Sequence, residues 1–126
     1  MKQTDHEKKK KGKELLEELK IKRGGKVLDF HKRIANDPDL FTAFTQQYDL
    51  CYKNMTHLPP KYKELILVAI GCCRNAQKTI EVHSKLALEN GATIEELGET
   101  LRLVFFLAGE ASLLLGAEVF EPLEIR

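Results

Sequence analysis

Apolar residues recur at steps of three and four along nearly the whole chain, which is the period of a helix with one buried face. Leu15, Leu16 and Leu19 form a first short stripe, with Glu14, Glu17 and Glu18 on the other side. Gly24-Gly25 stops that helix, because glycine tolerates the backbone that follows a helix end. Val27, Leu28, His31, Ile34 and Ala35 make the next stripe. Asn36-Asp37-Pro38 then reads as a stop and a restart, a capping side chain placed just before a proline at the first helical position. Phe41, Phe44, Tyr48, Cys51 and Tyr52 continue at helical steps.

Leu58-Pro59-Pro60 is the clearest break, since each prolyl ring fixes its own φ and disfavours helix at the residue before it. From Lys61 to Cys73 the spacing predicts a helix that is apolar on most sides, as expected in the middle of a bundle or at a subunit interface. Asn75 suits the N-cap of the following helix, on which Ile80, His83, Leu86 and Ala87 share a face. Asn90-Gly91 ends that helix, and Thr93 with Glu96 forms a capping box for another, carried inward by Leu97, Leu101, Val104, Phe105 and Ala108. Gly109 kinks or divides it ahead of Ala111–Phe120, and Pro122 closes the regular structure. No strand-like alternation competes with this pattern. The expectation is an all-α bundle of about six to seven helices.

Composition changes the picture little. The 126 residues amount to one domain, and a hydrophobic fraction of 43% is enough for a real core. Charge is uneven, however. Residues 1–26 hold ten Lys/Arg against five Asp/Glu, and the rest hold ten against fourteen. The run Lys8-Lys9-Lys10-Lys11 reads as a basic, flexible leader over residues 1–12, with a single domain over 13–126. No aromatic is interleaved with these lysines, so no base-stacking platform accompanies them and no nucleic-acid partner is expected. No apolar run has the length of a membrane span, and the start is too polar for a secretory signal. Cys51, Cys72 and Cys73 lack framework spacing, which points to a reducing, cytoplasmic setting.

The candidate chemistry is concentrated between Lys63 and Gly116. Glu64 opens the most apolar helix, and His83 follows nineteen residues later. A carboxylate heading into apolar surroundings needs a partner, and a Glu64–His83 pair would satisfy both residues and supply the groups that general acid–base chemistry uses. The bland alternatives are a dipole-favoured Glu in a first helical turn and a hydrogen-bonded core histidine. His6, His31, His57 and His83 show no metal-ligand spacing, so no metal is expected. Gly24-Gly25 lacks the context of a phosphate loop, and no cofactor is expected. Tyr48, Tyr52 and Tyr62 suit core packing better than a pocket wall.

The order Lys63-Glu64-Leu65, His83, Ala87-Leu88-Glu89-Asn90-Gly91-Ala92-Thr93 and Glu95-Glu96-Leu97 resembles the carboxymuconolactone decarboxylase family, which includes the alkyl hydroperoxidase D-like (AhpD-like) peroxidases. The resemblance covers the second half of the chain and, more weakly, Pro38–Tyr52. It implies an AhpD-like all-α fold assembled as a homo-oligomer, a trimer or hexamer, with its site between the Glu64 and His83 helices. The peroxidase branch carries a Cys-x-x-Cys pair in the first turn of the His-bearing helix, where amides and the helix dipole favour a thiolate. Here Ala76 and Thr79 stand at those positions. Cys72 and Cys73 instead close the preceding helix, where the dipole opposes negative charge and apolar surroundings raise a thiol pKa. They read first as two small buried hydrophobes. A redox role stays open if Arg74-Asn75 leaves the helix unbroken, because Cys72, Ala76, Thr79 and His83 would then share one face.

Three functions follow. The first is acid–base chemistry on a small carboxylate or lactone-type substrate through Glu64 and His83, with Arg74 or Lys78 holding the substrate's carboxylate and Thr79 beside it. The second is a thiol peroxidase using Cys72 or Cys73, resolved by Cys51. The third is a non-catalytic oligomeric module that keeps the fold. The substrate class in the first two is a small molecule, with no membrane partner.

Overall fold

The computed structural model describes residues 1–125. Among them are seven α-helices and no strand, so the chain is all-α as the periodicity predicts. The helices are α1 (His6–Lys22), α2 (Asp29–Ile34), α3 (Pro38–Tyr48), α4 (Pro60–Cys73), α5 (Gln77–Glu89), α6 (Ile94–Ala108) and α7 (Glu110–Gly116). A π-helical turn at Asp49–Lys53 extends α3, and a 3-10 turn at Ala117–Val119 follows α7. No described helix is long and apolar enough to cross a membrane. The chain divides into two compact units, Met1–Met55 and the segment from Thr56 onward.

The lysine run expected ahead of the first helix lies inside it. Asp5 caps α1, its Oδ1 accepting from the amides of Glu7 (2.9 Å) and Lys8 (3.1 Å), so the helix starts at His6 and Lys8 to Lys11 are helical. A capping carboxylate satisfies amides that a helix start otherwise leaves open, and it offsets the repulsion among the lysines that follow. Gly12 lets α1 and α2 meet: a Cβ there would collide with the carbonyl oxygen of Ala35. Asp37 caps α3 through the amides of Asp39 and Leu40, with Pro38 in the first turn, as the sequence implies. Phe41 is the unit's fully buried aromatic. Phe30, His31, Phe44, Tyr48 and Tyr52 form a ladder of ring contacts along α2, α3 and the π turn. His31 is buried, and its Nδ1 accepts from the Leu28 amide at 3.0 Å.

In the second unit one motif ends helices repeatedly. After α5, Gly91 takes φ +89°, its amide donates to Leu88 and that of Ala92 to Ala87. After α4 the same pair of bonds runs from Asn75 to Cys72 and from Ala76 to Gly71, with Asn75 at φ +54°. Asn75 is therefore not the N-cap of α5 that its side chain suggests. It is the left-handed residue that closes α4, a conformation asparagine tolerates better than most. Ala76 takes the N-cap position without a side-chain bond. Gly71 brings α5 close to α4, since a Cβ there would lie 3.0 Å from Ile80 and 3.2 Å from Thr79. Gly109, at φ +84°, divides α6 from α7. Two clusters fill the core: Val68, Cys72, Ile80, Leu101 and Val104, and then Leu65, Ala87, Ala92 and Leu97.

Glu96 has two tasks. Its Oε2 accepts from the Thr93 amide (2.9 Å), completing the capping box, while its Oε1 accepts from Lys61 Nζ (2.9 Å). Lys61 first, and then the Thr93 amide, hold the Glu96 carboxyl below the usual range.

Two predictions follow. Gly12→Ala should lower stability by about 1–3 kcal/mol in urea unfolding, because a backbone carbonyl cannot yield as a side-chain tip can. Burial first, and then the Arg23 charge, hold the pKa of His31 below its ordinary 6.5. Below about pH 6.5 the unfolded chain then binds more protons at this residue than the folded one does. Stability of the first unit should be full above that pH and fall as pH drops through it. Ring resonances of Phe41 and Phe44 in thermal melts should report a slope that His31→Gln removes.

Candidate functional site

The Glu64 carboxylate lies at the first turns of α4 and is almost wholly enclosed, with 3% of its side chain exposed. Leu65 and Val68, the next residue and the one a turn on in the same helix, are core residues. His83 reaches it from the second turn of α5, with Nδ1 at 2.5 Å from Glu64 Oε2. The separation is at the short end of the range for a hydrogen bond between a ring nitrogen and a carboxyl oxygen. The imidazole keeps about 20% of its surface exposed. The pair therefore has a closed end, the carboxylate, and an open end, the ring. Such an arrangement can hold a ring orientation, balance an imidazolium charge and pass a proton outward. Among the described residues no buried side-chain nitrogen or oxygen lacks a partner, and no cluster of three or more His, Cys, Asp or Glu is placed to hold a metal ion.

The other candidates are placed differently. Thr79 lies one turn before His83 on α5, half-buried against Gly71. Cys72 faces the core cluster with Val68, Ile80 and Leu101, and its sulfur lies 2.8 Å from where a Gly116 Cβ would stand. Burial first, then the neighbouring Cys73, pushes its thiol pKa up. Cys73 is exposed at the last residue of α4 and Cys51 is exposed on the π turn. Because α4 ends at Arg74 and Asn75 turns left-handed, Cys72 and His83 share no continuous helix face, and the geometry that kept the redox alternative open is absent. Arg74 is exposed ten residues beyond Glu64, about 15 Å along the helix axis at the usual rise. Lys78 is exposed and pairs with Glu81 at 3.6 Å. Neither cation is brought to the Glu64–His83 pair.

Sequence reasoning missed what orients the pair. The left-handed Asn75 and the close approach at Gly71 set the α4–α5 hairpin, and the signal was a cap-type residue followed by Ala at the next helix start.

The model of the carboxymuconolactone decarboxylase family matches residues 38–121, more than half of the chain, and the chain belongs to that family. No curated protein and no solved structure matches it.

Thiol accessibility tests this placement. Under native conditions an alkylating reagent should modify Cys51 and Cys73 quickly and Cys72 only on unfolding, read by mass spectrometry of the digested chain. Rapid native labelling of Cys72 would contradict its burial.

Proposed function

We propose that the chain is an acid–base member of its family, acting on a small carboxylate or lactone-type substrate through His83 and Glu64. The observation that carries this reading is the 2.5 Å contact between a buried carboxylate and an imidazole that keeps about 20% of its surface exposed. In a decarboxylation the bond to the departing CO2 breaks and its electron pair stays on the substrate carbon as an enolate. That carbon must then gain a proton. His83, held through Nδ1, delivers it from Nε2, and the buried Glu64 carboxylate balances the imidazolium before transfer. His83 is the catalytic residue here and Glu64 the positioning one. The thiol reading has less support, because the buried thiol is disfavoured as a thiolate and the exposed one sits at a helix C-terminus, where the dipole opposes it.

Carboxymuconolactone is the substrate to try first, given the family. Turnover should fall about 10²–10⁴-fold in His83→Gln, the usual worth of a general acid. Glutamine is chosen because it still offers Glu64 a hydrogen bond; alanine would strand a buried charge. Glu64→Gln should also lose activity, with Glu64→Asp recovering part of it and moving the pH profile. Cys72→Ala and Cys73→Ala should be silent. Activity lost in the cysteine variants and kept in His83→Gln would overturn the reading in favour of thiol chemistry. Full retention of the fold with no turnover of any lactone or carboxylate would favour a non-catalytic module.

We also propose that the chain works as a homo-oligomer, a trimer or hexamer. Tyr62, Ile66 and Ile70 are exposed at four-residue spacing on α4, and Leu103, Phe106 and Leu107 are exposed on α6. An apolar surface of this kind is what a subunit interface covers. Solution scattering at micromolar concentration should give a mass of three or six chains, and a monomer would refute it.

A further inference from the structure

The first unit carries a basic concavity that the acid–base reading does not use. Lys9 and Lys13 stand one turn apart on α1, and with Lys32 of α2 they line an open hollow of about 210 Å³. Leu16 and Asn36 add to its wall, and no carboxylate lines it. All three lysines are exposed, so a ligand reaches them from solvent. The two walls are held at a fixed spacing. Helices α1 and α2 approach most closely at Gly12 and Ala35, and Gln3 Nε2 donates to the Asn36 carbonyl at 2.7 Å.

The acidic groups around the hollow are engaged elsewhere or stay away. Asp5 caps α1, Asp37 caps α3, Glu14 pairs with Lys11, and Asp29 pairs with Arg33. Glu17 lies one turn on from Lys13, yet among the described residues no carboxylate oxygen comes within 4.0 Å of Lys9, Lys13 or Lys32. The last carbonyls of α2 are also taken: His31 by the Ala35 amide, Arg33 by the Asn36 amide and side chain, and Ile34 by the Asp37 amide. The lysines are therefore not spent on capping that helix. Like charges one turn apart on a helix destabilise it, and Lys9 and Lys13 bear that cost unrelieved. We propose that this hollow is a binding site for a compact phosphate-bearing polyanion, a free pyrophosphate group or a doubly ionised phosphate ester, whose oxygens accept from the three ammonium groups. Such charge-assisted bonds are stronger than neutral ones. Three cations with no carboxylate among them select a ligand of two or more negative charges. No aromatic ring lines the hollow, so no base can stack there and the phosphate itself is what is read. A concavity walled by two helices suits a compact anion better than an extended nucleic-acid backbone.

The test is acetylation of the full chain, read lysine by lysine by mass spectrometry, with and without sodium pyrophosphate at constant ionic strength. Pyrophosphate should slow modification of Lys9, Lys13 and Lys32 by about threefold or more, and leave Lys20, on α1 outside the hollow, unchanged. The pyrophosphate concentration giving half protection should rise by about threefold or more in Lys13→Gln and in Lys32→Gln, the loss expected for one exposed charge pair, and stay the same in Lys20→Gln. Equal protection of Lys20, equal protection by sodium chloride, or unchanged half-protection in both hollow variants would overturn the proposal. So would protection by vesicles containing phosphatidylinositol bisphosphate, or by an oligonucleotide, where pyrophosphate gives none. Either result would make the ligand a membrane or an extended backbone rather than a free polyanion.

Discussion

A carboxylate shut away from water at the start of α4 constrains the whole second unit. Taking a carboxylate out of water costs several kcal/mol, so Glu64 cannot lie there without a charge-compensating partner. The partner is on another helix, and it must arrive within hydrogen-bonding distance. That demand sets the α4–α5 hairpin: a turn short enough to bring the helices together, a glycine at the crossing, and a helix phase that aims His83 inward. Asn75, Gly71 and the core face of α5 meet these needs in turn. The pair is therefore also the reason that α4 and α5 pack as they do.

How much of this the sequence disclosed depended on where the signal lay. The Thr93–Glu96 box, Gly91 and Asp37-Pro38 were legible because each acts within one turn of chain. The Glu64–His83 pair was legible for a different reason: an ionisable group in an apolar run needs an answer elsewhere, and His83 lies on the apolar stripe of the next helix along the chain. Asn75 misled because an asparagine side chain caps helix starts and its backbone equally well closes helix ends; only the hydrogen-bond register separates the two roles. The start of α1 misled because four lysines outweighed one aspartate when judged by composition, although the aspartate is what a helix start requires. The π turn had no local signal, since its ring contacts come at nearly helical spacing. The contact of Arg23 with the His31 ring was also out of reach, because it depends on how the end of α1 and the start of α2 converge in space.

Charge in the two units is handled in contrasting ways. In the second, buried or half-buried charges are answered by named partners: Glu64 by His83, and Glu96 by Lys61 together with its own capping amide. Because Glu96 serves α6 and α4 at once, the start of one helix is fixed relative to the start of the other. In the first unit the lysines remain on the surface, and the notable group is a histidine whose pKa is lowered by burial first and then by the Arg23 charge.

The contact between Cys72 and Gly116 carries one more consequence. The sulfur and the glycine share a space with no room for another atom, for a single added carbon at position 116 would press on both Cys72 and Leu101. Bulk at the two positions is therefore exchangeable rather than additive. A chain with alanine at 72 could accept alanine at 116 once the Leu101 methyl also shifts, whereas alanine at 116 beside an unchanged Cys72 would push α7 off α4. Positions 72 and 116 should thus drift as a pair under selection for packing, giving a volume-coupled signature that owes nothing to thiol reactivity.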